Sequence, residues 1–411
     1  MRYCRRLLCI LTGTLLLNAI GEAQQVALRD GDRVVFYGDR ITAQRLYTVY
    51  VQTAVHARYP EWNIRFYNAG VGGDKVTGGI AGPIDERLTR DVIARGPTVV
   101  TIMLGMNDRG SAESRSAYPA GYEHILKKLK EELPGVRITV LGPSPLDDIT
   151  RPRPADGGNG DLVRFSELDH ELARRYVATF IDLNAPVLDA LRRVDAVNHL
   201  AALSAIPDRV HPEAPIHMLM AEAILRGWGF AEDAAIVSLN STTGETRQEG
   251  SIVTGVSQKD NALSWTEDDA ADEVPFNASD GSEALYRVLS RQPHMGRRML
   301  KVTGLPQGSY TLSIDGKPLP ERFSAEQFDV GVDLSMMVTP MHAAGRAIYY
   351  ACSDSEIDQV VRNRLLGRAP GTSAMEQLQE GRPFIEASID AAERRIADAQ
   401  ARKKHTFVLS K

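Results

Sequence analysis

Val34-Val-Phe-Tyr-Gly-Asp-Arg-Ile-Thr42 is the stretch that decides how the first half of the chain is read. Four β-branched or aromatic residues in succession predict a strand that is apolar throughout, as strands covered on both faces are. Gly38-Asp39 then ends the strand, and an aspartate in that place is a turn former and helix cap. A strand, a tight turn and a helix open an α/β unit.

The pattern repeats outward from there. Ile64-Arg-Phe-Tyr67, Val99-Val-Thr-Ile-Met103, Ile138-Thr-Val-Leu141 and Thr179-Phe-Ile-Asp182 read as further strands. Between and after them, Ala43–Arg58, Pro83–Ala94, Pro119–Leu133, Leu162–Ala178 and Ala214–Gly227 read as helices, with Leu126, Leu129 and Leu133 at helical spacing. Strands alternating with helices predict a flavodoxin-like three-layer α/β/α domain built on a parallel sheet. In such sheets ligands bind beyond the carboxyl ends of the strands, so chemistry is expected in the residues that follow each one.

After about Glu232 the texture changes. Residues 236–317 are rich in Ser, Thr, Gly and Asp, and Tyr310, Leu312 and Ile314 alternate with polar residues up to Asp315-Gly316, a hairpin turn signal. Residues 353–404 read as charged helices, broken near Pro370-Gly371 and Pro383, with a polar face expected to be solvated. The expected organisation is a signal over residues 1–23, an α/β domain over 24–232, and a C-terminal extension over 233–411. That extension is expected to be β-rich to about residue 320 and helical beyond.

The signal reading rests on Arg2, Arg5 and Arg6 ahead of a short apolar run, Leu7–Ile20, and the small residues of Gly21-Glu22-Ala23. It predicts a secreted or periplasmic protein with no membrane span once the signal is removed. Two of the three cysteines, Cys4 and Cys9, fall within it, so Cys352 is left alone, without an intramolecular disulfide or a thiolate metal cluster. A formal net charge of -5 gives no reason to expect nucleic acid or an anionic membrane as partner.

Each strand end offers something. Gly38-Asp39-Arg40-Ile41-Thr42 follows the first strand, Asn68-Ala-Gly-Val-Gly-Gly73-Asp74 the second, and Leu104-Gly-Met-Asn107-Asp108 the third. Asp208-Arg-Val-His211 precedes the last helix of the α/β region. Singly these are turns, caps and an ordinary histidine. The glycine loop fits neither the dinucleotide fingerprint, because Lys75 stands in place of the third glycine, nor the P-loop, which needs a Gly-Lys pair. No metal or organic cofactor is implied.

Together and in this order, the four segments resemble the signature blocks of the SGNH/GDSL hydrolases, over roughly Val34 to Gly229. The resemblance implies an ester hydrolase acting on an acyl group of a carbohydrate or other small molecule. It implies an oxyanion hole from the Gly73 backbone N–H and the Asn107 side chain, and an acid–base pair in Asp208 and His211. A backbone N–H and an amide are suitable fixed dipoles for developing negative charge, and a histidine three residues after an aspartate can turn its Nδ1–H to that carboxylate. The later segments Leu300–Pro306 and Gly308–Leu312 are similar to the C-terminal extension of some secreted bacterial members.

One position departs from the pattern. The family block reads Gly-Asp-Ser, with the serine as nucleophile; this chain reads Gly38-Asp39-Arg40. A guanidinium has no neutral form near pH 7 and cannot attack a carbonyl, so acyl-enzyme chemistry is expected to be weak or lost. Thr42, two residues on, is another hydroxyl to weigh, and His211 could activate water directly. In the competing reading the protein is a pseudoenzyme that binds an anionic or glycan ligand through Arg40, Gly73 and Asn107.

Overall fold

The computed structural model describes residues 26–152, 158–259, 262–269, 282–290, 296–335, 337–366, 373–401 and 403–411. The segment read as a signal, residues 1–23, lies outside them. Strands β1 (Arg33–Gly38), β2 (Arg65–Asn68), β3 (Val99–Met103), β4 (Arg137–Leu141) and β5 (Thr179–Ile181) form one parallel sheet in the order β2-β1-β3-β4-β5. Each begins and ends within one residue of its place in the sequence reading. The order reverses between β1 and β3, so the crevice beyond those two carboxyl ends is where this topology puts a ligand.

Helices fill the connections: α1 (Arg40–Ala43), α2 (Leu46–Arg58), α3 (Ala112–Glu132), α4 (Gly160–Arg175), α5 (Ala185–Asp195), α6 (His199–Ala205) and α7 (Ala214–Gly227). Strand β1 is buried from Val34 to Tyr37, and its side chains join those of α2, α3 and α7 in one core. The helix expected over Ala43–Arg58 is interrupted at Arg45, whose φ of 66° is left-handed. The helix expected over Pro83–Ala94 is present over Ile84–Arg95 but changes from α through π to 3-10 geometry around Arg87, which is drawn inward to Asp74 and Asp91.

The later chain builds a β-sandwich. Strands β6 (Asp233–Asn240), β7 (Thr246–Glu249), β8 (Ser251–Lys259) and β9 (Ala262–Asp269) come first. They are followed by β10 (Arg297–Thr303), β11 (Ser309–Ile314), β12 (Lys317–Ser324), β13 (Val332–Asp333) and β14 (Lys404–Ser410). One sheet runs β13-β10-β6-β7 and the other β8-β9-β14-β11-β12. Alternate residues such as Val237, Leu239, Leu300 and Val302 face Trp265, Leu312, Phe407 and Leu409 in a shared core. The expected hairpin is present between β11 and β12, with left-handed Asp315 (φ 51°) and Gly316 (φ 75°) at its turn. The chain's last strand, β14, pairs inside its sheet between β9 and β11.

Three longer helices accompany the sandwich, α8 (Ser282–Leu289), α9 (Pro340–Leu366) and α10 (Ser373–Ala399), beside a short capped helix at Ala325–Val330. The break expected near Pro370 lies outside the described residues, and α10 runs through Pro383 without ending. The polar face expected to be solvated is in part buried. On α9, Glu356, Gln359 and Asn363 turn toward α2 and the sheet edge β2. Gln359 Nε2 donates to Phe66 O (3.1 Å) and its Oε1 accepts from Asn68 N (2.7 Å). An edge strand otherwise carries unpaired N–H and C=O groups, so α9 closes the sheet on that side. No helix among the described residues is long and apolar enough to cross a membrane.

A buried set of charges lies inside the sandwich. Arg298 sits in the inward row of β10 with Leu300 and Val302, paired with Glu267 and, at 2.7 Å, with Asp269 of β9. Removing one partner of such a set leaves buried charge uncompensated, which costs about 3–5 kcal/mol. Urea unfolding of Arg298→Ala is therefore expected to show a stability loss of about 3–5 kcal/mol; a loss below about 1 kcal/mol would mean the two carboxylates are accommodated without it.

Candidate active site

The first strand-end turn is set by Asp39. Its Oδ1 accepts the Ile41 N–H (3.0 Å), capping α1 and placing Arg40 as the first helical residue. Asp39 is 3% exposed while Arg40 faces solvent. The Arg40 stem passes close to Gly72: a Cβ on that glycine would meet Arg40 Cβ at 3.6 Å. The guanidinium makes no hydrogen bond or ion pair with the described residues. Thr42 is buried and shares a 2.9 Å hydrogen bond with the Tyr47 hydroxyl, so it is turned into the core away from the crevice.

The glycine loop after β2 is held from both ends by Arg87. Its Nη2 donates to Ala69 O (2.7 Å) and its Nε to the Asp74 carboxylate (2.8 Å), and a second carboxylate, Asp91, completes the pairing. Gly70 is required by closeness, since a Cβ there would lie 2.5 Å from the Ala43 backbone nitrogen. Gly73 has φ 85°, a left-handed conformation, with open space beside it.

Asn107 follows β3 and joins the other two turns. Its Nδ2 donates to Asp39 Oδ2 (3.2 Å) and to Asp74 O (2.9 Å). Both amide hydrogens are thus engaged, and a ligand oxygen would be accepted at the expense of one of these bonds. The neighbouring Asp108 accepts the Val76 N–H (3.1 Å) and holds the far side of the glycine loop.

Asp208 and His211 form a compact unit. Asp208 Oδ1 accepts the Val210 and His211 backbone N–H groups (2.9 and 2.7 Å), and His211 Nδ1 lies 2.5 Å from Oδ2. Partial burial raises the Asp208 pKa, but these hydrogen bonds outweigh it and hold the carboxyl at about 2. The carboxylate is therefore ionised, and His211 Nδ1 is the donor, leaving Nε2 as a base. Between them Arg209 adopts φ 71°, anchored by its side chain to Asp147 O (3.2 Å) and by an ion pair to Asp148. The loop after β4 is thereby tied to the turn that carries His211. A 3.4 Å hydrogen bond from Gln44 Nε2 to Pro212 O links the same turn to the end of α1.

The structure thus brings Asp39, Arg40, Gly73 and Asn107 into one cluster and pairs Asp208 with His211. Sequence reasoning missed Arg87 and the bonds of Asn107, and no local pattern signals either. Among the described residues no group of three or more His, Cys, Asp or Glu side chains is placed to hold a metal ion.

The parallel sheet, with polar turns at the β1 and β3 ends, defines a three-layer α/β protein whose crevice lies at its switch point. Residues 35–219 match the GDSL-like Lipase/Acylhydrolase family, a match confined to the α/β region that supports its kinship with the SGNH/GDSL hydrolases. It is similar to an acetylxylan esterase of Geobacillus stearothermophilus, at 29% identity over 227 residues, covering 49% of this chain and 95% of the relative. A crystal structure of an acetylxylan esterase from the same organism aligns at 26% identity with a TM-score of 0.41, over 49% of this chain and 96% of that one. A structure described as a gut microbial diltiazem-metabolizing enzyme shares the fold over 93% of this chain and 98% of its own. Its TM-score is 0.83 and its identity 24%.

Burial pushes the Asp39 carboxyl up to about 7, with Asp74 and Asp108 adding to it; Asp108 itself is raised, by burial, to about 6. The folded chain therefore keeps a proton on Asp39 that the unfolded chain releases near pH 4, so this group's contribution to stability falls as pH rises from about 4 to 7. Asp39→Asn removes that slope. Urea unfolding at pH 4.5 and 7.5 should show the variant gaining on the parent by about 2–4 kcal/mol across the interval. A pH-independent difference would place the ionisation elsewhere.

Proposed function

We propose that the crevice at the β1 and β3 ends is the acyl-transfer site of a carbohydrate or small-molecule esterase, disarmed in this chain by Arg40. The observation that carries the reading is the Asp39–Asn107 hydrogen bond, with the Arg40 stem passing beside Gly72 of the glycine loop. Position 40 begins a helix at the mouth of the crevice, where a serine hydroxyl in relatives would face both the glycine loop and Asn107.

With a serine at position 40, the proposed mechanism is the serine acyl transfer that the family resemblance implies. The hydroxyl oxygen attacks the acyl carbon as His211 Nε2 takes its proton, and Asp208 stabilises the imidazolium. The Gly73 N–H and the Asn107 amide receive the oxyanion, the amide giving up its bond to Asp74 O or Asp39. Collapse expels the alcohol with the proton from His211, and water then hydrolyses the acyl-enzyme by the same steps. The kinship with an acetylxylan esterase favours acetyl groups on sugar hydroxyls as the substrate class. Secretion, expected from residues 1–23, suits an extracellular glycan.

A second reading has its own support. The Arg40 guanidinium is exposed and unpaired with the described residues, and its stem runs past Gly72 of the glycine loop, so the crevice mouth suits a carboxylate or a sulfated glycan held without turnover.

Hydrolysis of p-nitrophenyl acetate by the mature chain, by Arg40→Ser and by Arg40→Ser/His211→Ala separates these. Restoring the nucleophile is expected to raise kcat by at least about a thousandfold, and removing His211 to abolish the gain. A parent chain as fast as Arg40→Ser would show that position 40 is not the nucleophile position.

A further inference from the structure

The buried polar row on α9 reaches the active-site turns. Glu356 Oε2 accepts hydrogen bonds from Thr48 Oγ1 (2.6 Å) and from Asn68 Nδ2 (2.7 Å), and Oε1 accepts from Gln52 Nε2. Asn68 is the last residue of β2 and the hinge between two parts of the site. Its Nδ2 also donates to Thr42 O (2.9 Å) in the helix that begins at Arg40, and its Oδ1 accepts the N–H of Gly70 (2.9 Å) in the glycine loop. Asn363 donates to Asn68 O, and Gln359 takes up the Asn68 N–H. Every polar group of Asn68 is therefore bound, and three of its partners belong to one C-terminal helix.

We infer that Glu356 is a positioning residue for the acyl-transfer site: through Asn68 it holds the turn at position 40 and the oxyanion loop in register from the C-terminal helix. This rests on the reading of the crevice given above. Four features separate Glu356 from a packing group. It is fully buried, it accepts three hydrogen bonds, its nearest site contact is one residue from the glycine loop, and it lies on a helix outside the α/β unit. The charged or titratable neighbours that face it are Arg45 and Tyr47 around the start of α2, and Cys352 one turn earlier on α9. Burial pushes the Glu356 carboxyl up to about 8, against the hydrogen bonds from Thr48 and Asn68. A neutral group of the same shape is thus a fair substitute for it.

Glutamine at position 356 keeps an oxygen for Thr48 and Asn68 and turns its amide to Gln52, whose own amide can rotate to accept. Alanine keeps none of this. In the Arg40→Ser background, Glu356→Ala is expected to lower kcat by at least about tenfold with KM changed less than about twofold, and Glu356→Gln to stay within about threefold of the parent. In the chain with Arg40 intact, hydrogen exchange in residues 66–76 should quicken by about tenfold for Glu356→Ala alone, with residues 99–106 unchanged. If Glu356→Ala does not fold, Asn68→Asp replaces it. There, adding Glu356→Gln should raise kcat by restoring a donor–acceptor pair, a coupling absent from the Glu356→Gln single variant.

Equal loss in the alanine and glutamine variants, exchange that quickens everywhere alike, or additive effects at 68 and 356 would overturn the role. Should Arg40→Ser itself be inert, the acyl-transfer reading fails, while the exchange measurement still decides whether Glu356 holds the loop.

Discussion

The side-chain amide of Asn107 is the point on which the crevice depends. One primary amide at the end of β3 donates to the carboxylate that caps the helix after β1 and to the backbone of the loop after β2. Three turns from three strands are thereby fixed to one another, which a parallel sheet does not do by itself, since its ladder stops at the strand ends. The constraint needs Asp39 in the interior, where burial holds its carboxyl near neutrality, and it needs Arg87 to carry the charge of Asp74 on the far side of the loop. The packing of Gly70 against Ala43 follows from the same closeness. Folding thus fixes the position of the Asn107 amide, while its hydrogens are held by Asp39 and Asp74 until a ligand oxygen replaces one of them.

Much of this was legible in the chain because parallel strands covered on both faces are written as unbroken apolar runs. Val34–Tyr37 and Val99–Met103 could be read directly, and the strand-end residues then followed from topology. The hairpin at Asp315-Gly316 was equally plain, since its left-handed positions restrict the residue types. What could not be read depended on long-range partners. Glu356, Gln359 and Asn363 recur at helical spacing in a charged segment, and nothing local distinguishes such a row from a solvated face. Only the docking of α9 against β2 makes it a buried one. Pro383 gave a false break, because the surrounding helix tolerates it, and the bonds of Asn107 depend on three separate segments meeting.

Against this framework Arg40 is a local exception. The cap at Asp39, the glycine loop and Asn107 are joined beside a residue that cannot attack a carbonyl, and Asp208 and His211 form their own hydrogen-bonded pair. The fold did not require that change: Arg40 is exposed, and its stem passes beside Gly72. The surrounding site is shaped by interactions that do not involve it, so a substitution at position 40 is expected to alter chemistry far more than stability.

The most direct test is covalent. The native chain and its Arg40→Ser, Arg40→Ala and Arg40→Ser/His211→Ala variants would be treated with a fluorophosphonate, and the modified peptide located by mass spectrometry. An adduct is expected at position 40 in Arg40→Ser, formed much more slowly without His211, and none in the native chain or Arg40→Ala. An adduct on another residue, or equal labelling of the native chain, would contradict it and move the nucleophile away from the β1 turn.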